Sequence, residues 1–315
     1  MRFIQKALRR YFSPECLVKE KYRIGELPTA RATYSELWHM AWPSICESML
    51  VGLVGFIDTL MVSKCGTYAI SAVGLTAQPR LIFYAFFFAL NVGVTAIVSR
   101  RTGQKDRDGA NECLGQALQV TVLLGLLLVT TAVLTARPLL EFAGAKSDTI
   151  EPAVEYFRIT MIGLFFTGIS LTVNAAQRGS GNTRIAMTTN LVANAVNCVF
   201  NYLLISGNVG FPALLVRGAA IATLLGNIVA CVLSLASLYR KNGFLHFSRL
   251  KLFTVDIPLL KNLFRISSSA AVEQVFMRAG FFLYAKMVAE LGTQAMATHQ
   301  ICMNIINLSF AAGDG

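Results

Sequence analysis

Charged side chains are scarce in this sequence: Asp, Glu, Lys and Arg together make up 14% of its 315 residues, against about 25% in soluble domains. That shortage excludes an ordinary soluble globular protein. Histidine is rarer still, at positions 39, 246 and 299, and the three form no metal-ligand set. The seven cysteines (16, 46, 65, 113, 198, 231 and 302) include no Cys-x-x-Cys pair and sit mostly within apolar runs. They read as reduced core residues, not as a disulfide framework. No uninterrupted apolar run follows the basic amino-terminal residues, so no signal peptide is read there. A membrane-embedded enzyme would show a clustered nucleophile, His pair or metal set, and none is visible.

Apolar residues fill the chain instead, at 55% of the total, with a mean hydropathy of +0.56. Seven apolar spans follow one another at 38–62, 81–98, 117–136, 159–177, 185–206, 218–239 and 266–288, and an eighth opens near Ala295. A crossing helix needs about 20 residues, and five of the seven spans hold no charged residue. Helical membrane spans are the reading. Lys and Arg then explain the net charge of +11 by where they fall. The amino-terminal segment is rich in them, as are the second connection (Arg100, Arg101, Lys105, Arg107), the fourth (Arg178, Arg184) and the sixth. The first (Lys64), third (Arg137, Lys146) and fifth (Arg217) hold four in all, against twelve in the second, fourth and sixth. This alternation puts the amino terminus in the cytoplasm of a multi-pass protein of the cell's inner (plasma) membrane. Nucleic acid is not expected as a partner, since the cations line no single face.

Gly66-Thr67-Tyr68-Ala69-Ile70-Ser71-Ala72 resembles Gly292-Thr293-Gln294-Ala295-Met296-Ala297-Thr298, an offset of 226 residues. At the same offset Met61-Val62 falls on Met287-Val288 and Glu47 falls on Glu273. The seventh span therefore reads as a second copy of the first, with six spans per copy and both copies in one orientation. The expected fold is an all-α polytopic membrane protein of two parallel-repeat six-helix lobes, the first complete and the second cut off in its second helix. The expected division is a basic amino-terminal segment at 1–33, a first lobe at 34–239, a cytoplasmic linker at 240–258 and a partial second lobe at 259–315. Within 1–33, Phe3, Ile4, Ala7, Leu8, Tyr11 and Phe12 recur at helical spacing between cations, which fits either a surface amphipathic helix or a disordered basic tail.

Polar residues inside the spans carry the chemistry. Glu47 and Asp58 stand in the first span, eleven residues or close to three turns apart, so both face one side about 16 Å apart along the axis. Acids facing lipid would cost a few kcal/mol, so that side is read as a cavity or bundle interior. For Asp58 the choice is between an ion-coupling role and a structural pairing with Arg80 or Lys64. For Glu47 the choice is between substrate contact and a helix-fixing pair, and Glu273 inherits it. In the fifth span Asn190, Asn194, Asn197 and Asn201 follow 4, 3, 4 spacing and form one stripe. They either line a cavity and hold water or a cation, or bond helices together. Asn174 and Gln177 are weaker candidates. Gly179-Ser180-Gly181 lacks the sequence context of a phosphate loop, and Gly218, Ala219, Ala220 and Ala222 read as close-packing residues.

Taken in order, these pieces resemble the multidrug and toxic compound extrusion (MATE) transporters. The resemblance runs from about Ser35 onward. It rests on Gly55-Phe56-Ile57-Asp58-Thr59 with Gly66, Ala69, Ala72, Val73 and Gly74, on Arg178-Gly179-Ser180-Gly181-Asn182-Thr183-Arg184, on Asn197-Cys198-Val199-Phe200-Asn201 and on Gly218-Ala219-Ala220-Ile221-Ala222-Thr223. It implies a two-lobe antiporter with a central cavity open to one side at a time, exchanging H+ or Na+ for an organic compound, without a further cofactor. Asp58 matches the family's first-span coupling aspartate, and Asn197 and Asn201 a fifth-span pair near it. Glu47, Asn174, Asn194 and Glu273 are the expected substrate-cavity residues. Three positions depart from the pattern: Asn201 stands where some members have aspartate, Ser269 where many have proline, and Glu273 about one turn before a seventh-span glutamate. The expected partners are a small organic substrate, amphipathic or cationic, and the bilayer, with the protein a monomer. A flippase for lipid-linked saccharides is the alternative; it would need cavity cations for phosphate, and the first six spans offer little beyond Arg80 and Arg158.

Overall fold

The computed structural model describes residues 29–63, 65–239, 243–247 and 256–314. The amphipathic or disordered segment read at the amino terminus lies almost wholly outside these residues, as does Lys64. The described residues form α1 (Ala30–Ser63), α2 (Thr67–Gly103), α3 (Arg107–Leu134), α4 (Ala136–Phe142), α5 (Ile150–Gly179), α6 (Thr183–Leu204), α7 (Leu215–Ser237), α8 (Ile257–Glu290) and α9 (Thr293–Asp314), with a short 3-10 turn at Asn208–Gly210. No strand occurs among them. Helices α1, α2, α3, α5 and α7 are each long and apolar enough to cross a membrane. The other long helices are less apolar because α6 carries the asparagine stripe and α8 carries Lys261, Arg265, Glu273, Arg278 and Lys286.

Local chemistry sets the ends. Helix α3 begins at the cap Asp106, whose Oδ1 accepts from the Gly109 N–H at 3.0 Å. It stops at Leu134, four residues before Pro138, whose ring removes that N–H and clashes with that carbonyl. The apolar run read as 117–136 thus ends in a break, with α4 beyond it. Helix α8 starts at the cap Asp256, with Pro258 in its first turn. Helix α2 begins 14 residues before the apolar run at 81–98. Ser71, Thr76 and Arg80 dilute the hydropathy of its first half, yet Ser71 and Thr76 are buried against neighbouring helices. The two repeat-related glycines Gly66 and Gly292 have φ of +104° and +122°, a conformation that a Cβ disfavours. Each immediately precedes its helix, so the 226-residue repeat is visible in backbone geometry.

Helices α2 and α5 lie at the centre, α2 against α3, α5, α8 and α9, and α5 also against α3 and α7. The repeat appears as a crossed arrangement: α8, the copy of α1, packs on α2, and α9, the copy of α2, packs on α1. One apolar cluster joins Leu90, Val94, Leu114, Ala117, Val173 and Leu263, and takes in Leu245 from residues 243–247. A second joins Phe87, Leu140, Phe157, Met161 and Leu164. Lipid is as apolar as these side chains, so cohesion comes from close packing more than from escaping water. Gly218 fits that account: a Cβ there would meet the Leu204 carbonyl oxygen at 2.5 Å.

Residues 243–247 dock on the start of α3. Arg107 donates to the carbonyls of Gly243 and Phe244, and Asn111 Oδ1 accepts from the His246 N–H at 2.8 Å. At the other end of the bundle, Arg137 pairs with Glu141 and Glu151 and Arg217 with Glu155.

Candidate functional site

Two side-chain rungs connect α1 to α6. Asn190 Nδ2 donates to Glu47 Oε1 at 2.5 Å, and eleven residues further along both helices Asn201 Nδ2 donates to Asp58 Oδ1 at 2.6 Å. Equal spacing on the two helices means that they run side by side in the same direction, with the asparagine stripe facing both acids. The rungs differ in charge. Glu47 also pairs with Arg178, 3.3 Å away at the α5 end, and its side chain is 14% exposed. Around Asp58, no Lys, Arg or His nitrogen among the described residues lies within 4.0 Å of the carboxylate.

Asp58 faces a cavity of about 130 Å³ lined by residues of α1, α2, α5, α6, α7 and α9, among them Thr59, Arg80, Tyr156, Thr223, Gln300 and Asn304. Liquid water occupies about 30 Å³ per molecule, so the hollow has room for a few waters or an ion. It is too small for a drug-sized molecule, which needs about 300–1,000 Å³. Arg80 lies within electrostatic reach of Asp58 without touching it. Asn197, like Asn201, is almost completely buried. With its nitrogen turned to the acid, the Asn197 amide donates to both Asp58 oxygens, at 3.0 and 3.2 Å, and its oxygen accepts from the Thr223 N–H at 3.2 Å. Turned the other way, it offers Asp58 an oxygen and accepts from Asn201 Nδ2 at 3.2 Å. The first orientation suits a carboxylate, the second a protonated carboxyl with an O–H to give. Asn201 Oδ1 is buried without a donor, so it and the Asp58 carboxylate are two groups with hard oxygens suited to a cation.

The remaining sequence candidates stand elsewhere. Asn174 Oδ1 accepts from the Ser234 hydroxyl at 3.2 Å, and Ser234 in turn bonds Ser170 at 2.8 Å, which joins α5 to α7. Asn194 is half-buried on the α6 stripe, and Glu273 is exposed on α8; neither lines the Asp58 cavity. The cavity also contains residues that sequence reasoning passed over, namely Tyr156, Gln300 and Asn304. Gln300 and Asn304 carried a usable signal as an amide pair at i, i+4 on one helix face; Tyr156 carried none.

The MatE family model matches residues 43–203, just over half of the chain. The chain belongs to the MATE family. Members of the MATE family are transporters, not enzymes. A probable multidrug resistance protein NorM of Thermotoga maritima is 26% identical over 290 residues, 92% of this chain and 61% of that relative. The FAD transporter of Shewanella oneidensis is 27% identical over 69% of this chain and 47% of its own length. Among solved structures, the inward-facing conformation of a multidrug resistance MATE family transporter matches with a TM-score of 0.71 at 25% identity, covering 82% of this chain and 60% of that one. The chain spans about three-fifths of the length of the curated relatives it matches.

Proposed function

We propose that this protein is a secondary transporter that exports organic compounds in exchange for H+ or Na+, with Asp58 as the coupling acid. The observation that carries the reading is the Asp58 cavity: a membrane-embedded acid with amide partners and, among the described residues, no ion pair, in a hollow sized for an ion. Asn201 and Asn197 hold the carboxylate from α6, and an amide, with one donor end and one acceptor end, can partner either charge state of Asp58. Loading Asp58 from outside and releasing inward moves one charge down the membrane potential, worth about 2.3 kcal/mol at 100 mV. Export follows if the loaded and unloaded forms favour opposite openings of the two lobes.

The substrate is an amphipathic or cationic organic molecule, in keeping with the relatives named as multidrug resistance proteins. It binds outside the 130 Å³ hollow, in a central cavity toward which Glu47, Asn174, Asn194 and Glu273 remain candidates. The amino terminus faces the cytoplasm of the plasma membrane, so that the paired cations Arg137 and Arg217 lie at the outer end. A lipid-saccharide flippase is not favoured, because relatives similar over most of this chain are named as probable multidrug resistance proteins.

The test is export of a fluorescent cationic dye from proteoliposomes holding the full-length protein, with pH and sodium gradients imposed separately. One gradient should accelerate export in the wild type, and Asp58→Asn should abolish the acceleration. Undiminished acceleration in Asp58→Asn would overturn the reading.

A further inference from the structure

The Asp58 cavity is closed in part by α9, the copy of α2 in the second half of the repeat. Asn304 Nδ2 donates to Thr59 Oγ1 at 2.5 Å, Thr59 Oγ1 donates back to the Gly55 carbonyl at 3.1 Å, and Gln300 Nε2 donates to Asn304 Oδ1 at 3.4 Å. Thr59 adjoins Asp58 in the chain, and Thr59, Gln300 and Asn304 all line the same hollow. Gln300 also lies on Gly74, its repeat mate at the 226-residue offset, where a Cβ would come within 3.2 Å of it. The two copies of the repeat therefore meet beside the acid. On its other side Asp58 is held by Asn201 of α6, within the first copy.

We propose that Gln300 and Asn304 are positioning residues that pass the occupancy of the Asp58 cavity from α1 to α9, and so from the first copy of the repeat to the second. This rests on the reading of Asp58 as the coupling acid. An ion or proton arriving at Asp58 rearranges the donors and acceptors around its carboxylate. The adjoining Thr59 carries the shift to Asn304 through one side-chain hydrogen bond, and the Gln300–Asn304 pair fixes that amide on the helix face. Amides suit this task because their donor and acceptor ends work without charge, so the link adds no further cation or anion to a desolvated site.

The experiment compares Asn304→Leu, Thr59→Val, the double variant, Thr59→Ser and Asp58→Asn in full-length protein reconstituted in proteoliposomes. The readout is the ratio of ethidium export with an imposed ion gradient to export without one, since damage to folding lowers both and loss of transmission lowers the ratio. Helix-to-helix hydrogen bonds in membranes correspond to about threefold to tenfold in an equilibrium. The ratio should fall by about that factor in Asn304→Leu and in Thr59→Val, with no further fall in the double variant, and Thr59→Ser should stay within about twofold of wild type. If Asn304→Leu does not fold, Thr59→Val against Thr59→Ser decides the matter. A wild-type ratio in Thr59→Val and Asn304→Leu while Asp58→Asn has lost its own would overturn the inference alone, as would losses that multiply in the double variant. A wild-type ratio in Asp58→Asn would overturn the coupling reading, and the inference with it.

Discussion

Glu47 and Asp58 share a helix, a face and the same kind of partner, an α6 asparagine on each, yet they stand in different electrostatic settings. Arg178 stands 3.3 Å from Glu47, completing a compensated ion pair near the end of the bundle. Asp58 has two amides of α6 beside it, an arginine kept at a distance and a small hollow in front of it. A compensated buried acid has little reason to change its charge, whereas one held by neutral groups that tolerate both charge states can do so. Of the two acids, the one without a direct ion pair among the described residues is the better suited to the ion exchange proposed above.

The sharpest way to break this comparison is to neutralise each acid in turn. Asp58→Asn should reduce gradient-driven dye export to that of empty vesicles, while Glu47→Gln should stay within about threefold of wild type, since the Gln amide can still bond Asn190. Equal losses from the two substitutions would remove the distinction. The next largest effect concerns stability. Arg178→Ala leaves Glu47 charged and largely buried with one neutral partner, which should cost about 1–3 kcal/mol. Thermal unfolding in detergent measures it, and adding Glu47→Gln to Arg178→Ala should recover more than half of the loss. A smaller change sharpens the ion question. Asn201→Asp sets a second carboxylate at the cavity and supplies the charge that a sodium site there otherwise lacks. Half-maximal export should then occur at a sodium concentration lower by about tenfold, equivalent to about 1.4 kcal/mol. Unchanged sodium dependence would mean that the hollow does not take the metal ion.

The contrast was half legible in the sequence. Eleven-residue spacing put the acids on one face, and the 4, 3, 4 asparagine spacing put a stripe on another helix, because helical periodicity fixes both. The pairing of that stripe with those acids depends on how α1 and α6 lie against each other, which periodicity does not encode. Arg178 could be counted as a positive loop residue but not identified as the partner of Glu47, 131 positions away. The repeat was readable from Gly66 and Gly292, since a backbone that needs positive φ marks itself by glycine. Its consequence, the crossing of α9 over α1 with Asn304 against Thr59, was not, because an amide pair among the several polar residues of α9 has many possible neighbours. The full extent of α2 escaped for a related reason: buried Ser71 and Thr76 look like loop residues to a hydropathy count.

A third acid, Asp106, extends the comparison to the water side. It caps α3, with Oδ1 accepting from the Gly109 N–H at 3.0 Å and Oδ2 pairing with Arg101 at 2.5 Å. The Gly109 N–H, and after it the Arg101 guanidinium, hold its carboxyl below the ordinary carboxylate range. A carboxyl whose folded value is lowered stabilises the fold above its unfolded value and loses that contribution as pH falls through the folded value. Asp106→Asn keeps the cap but cannot ionise. The wild type should therefore melt above this variant near pH 6, and the gap should close as the pH is brought to about 3 and below. The gap should be small, since solvent screens the pair at an exposed loop. A gap that stayed constant from pH 6 to pH 3 would mean that the charge of Asp106 contributes nothing there, and that its value lies in the shape of the cap.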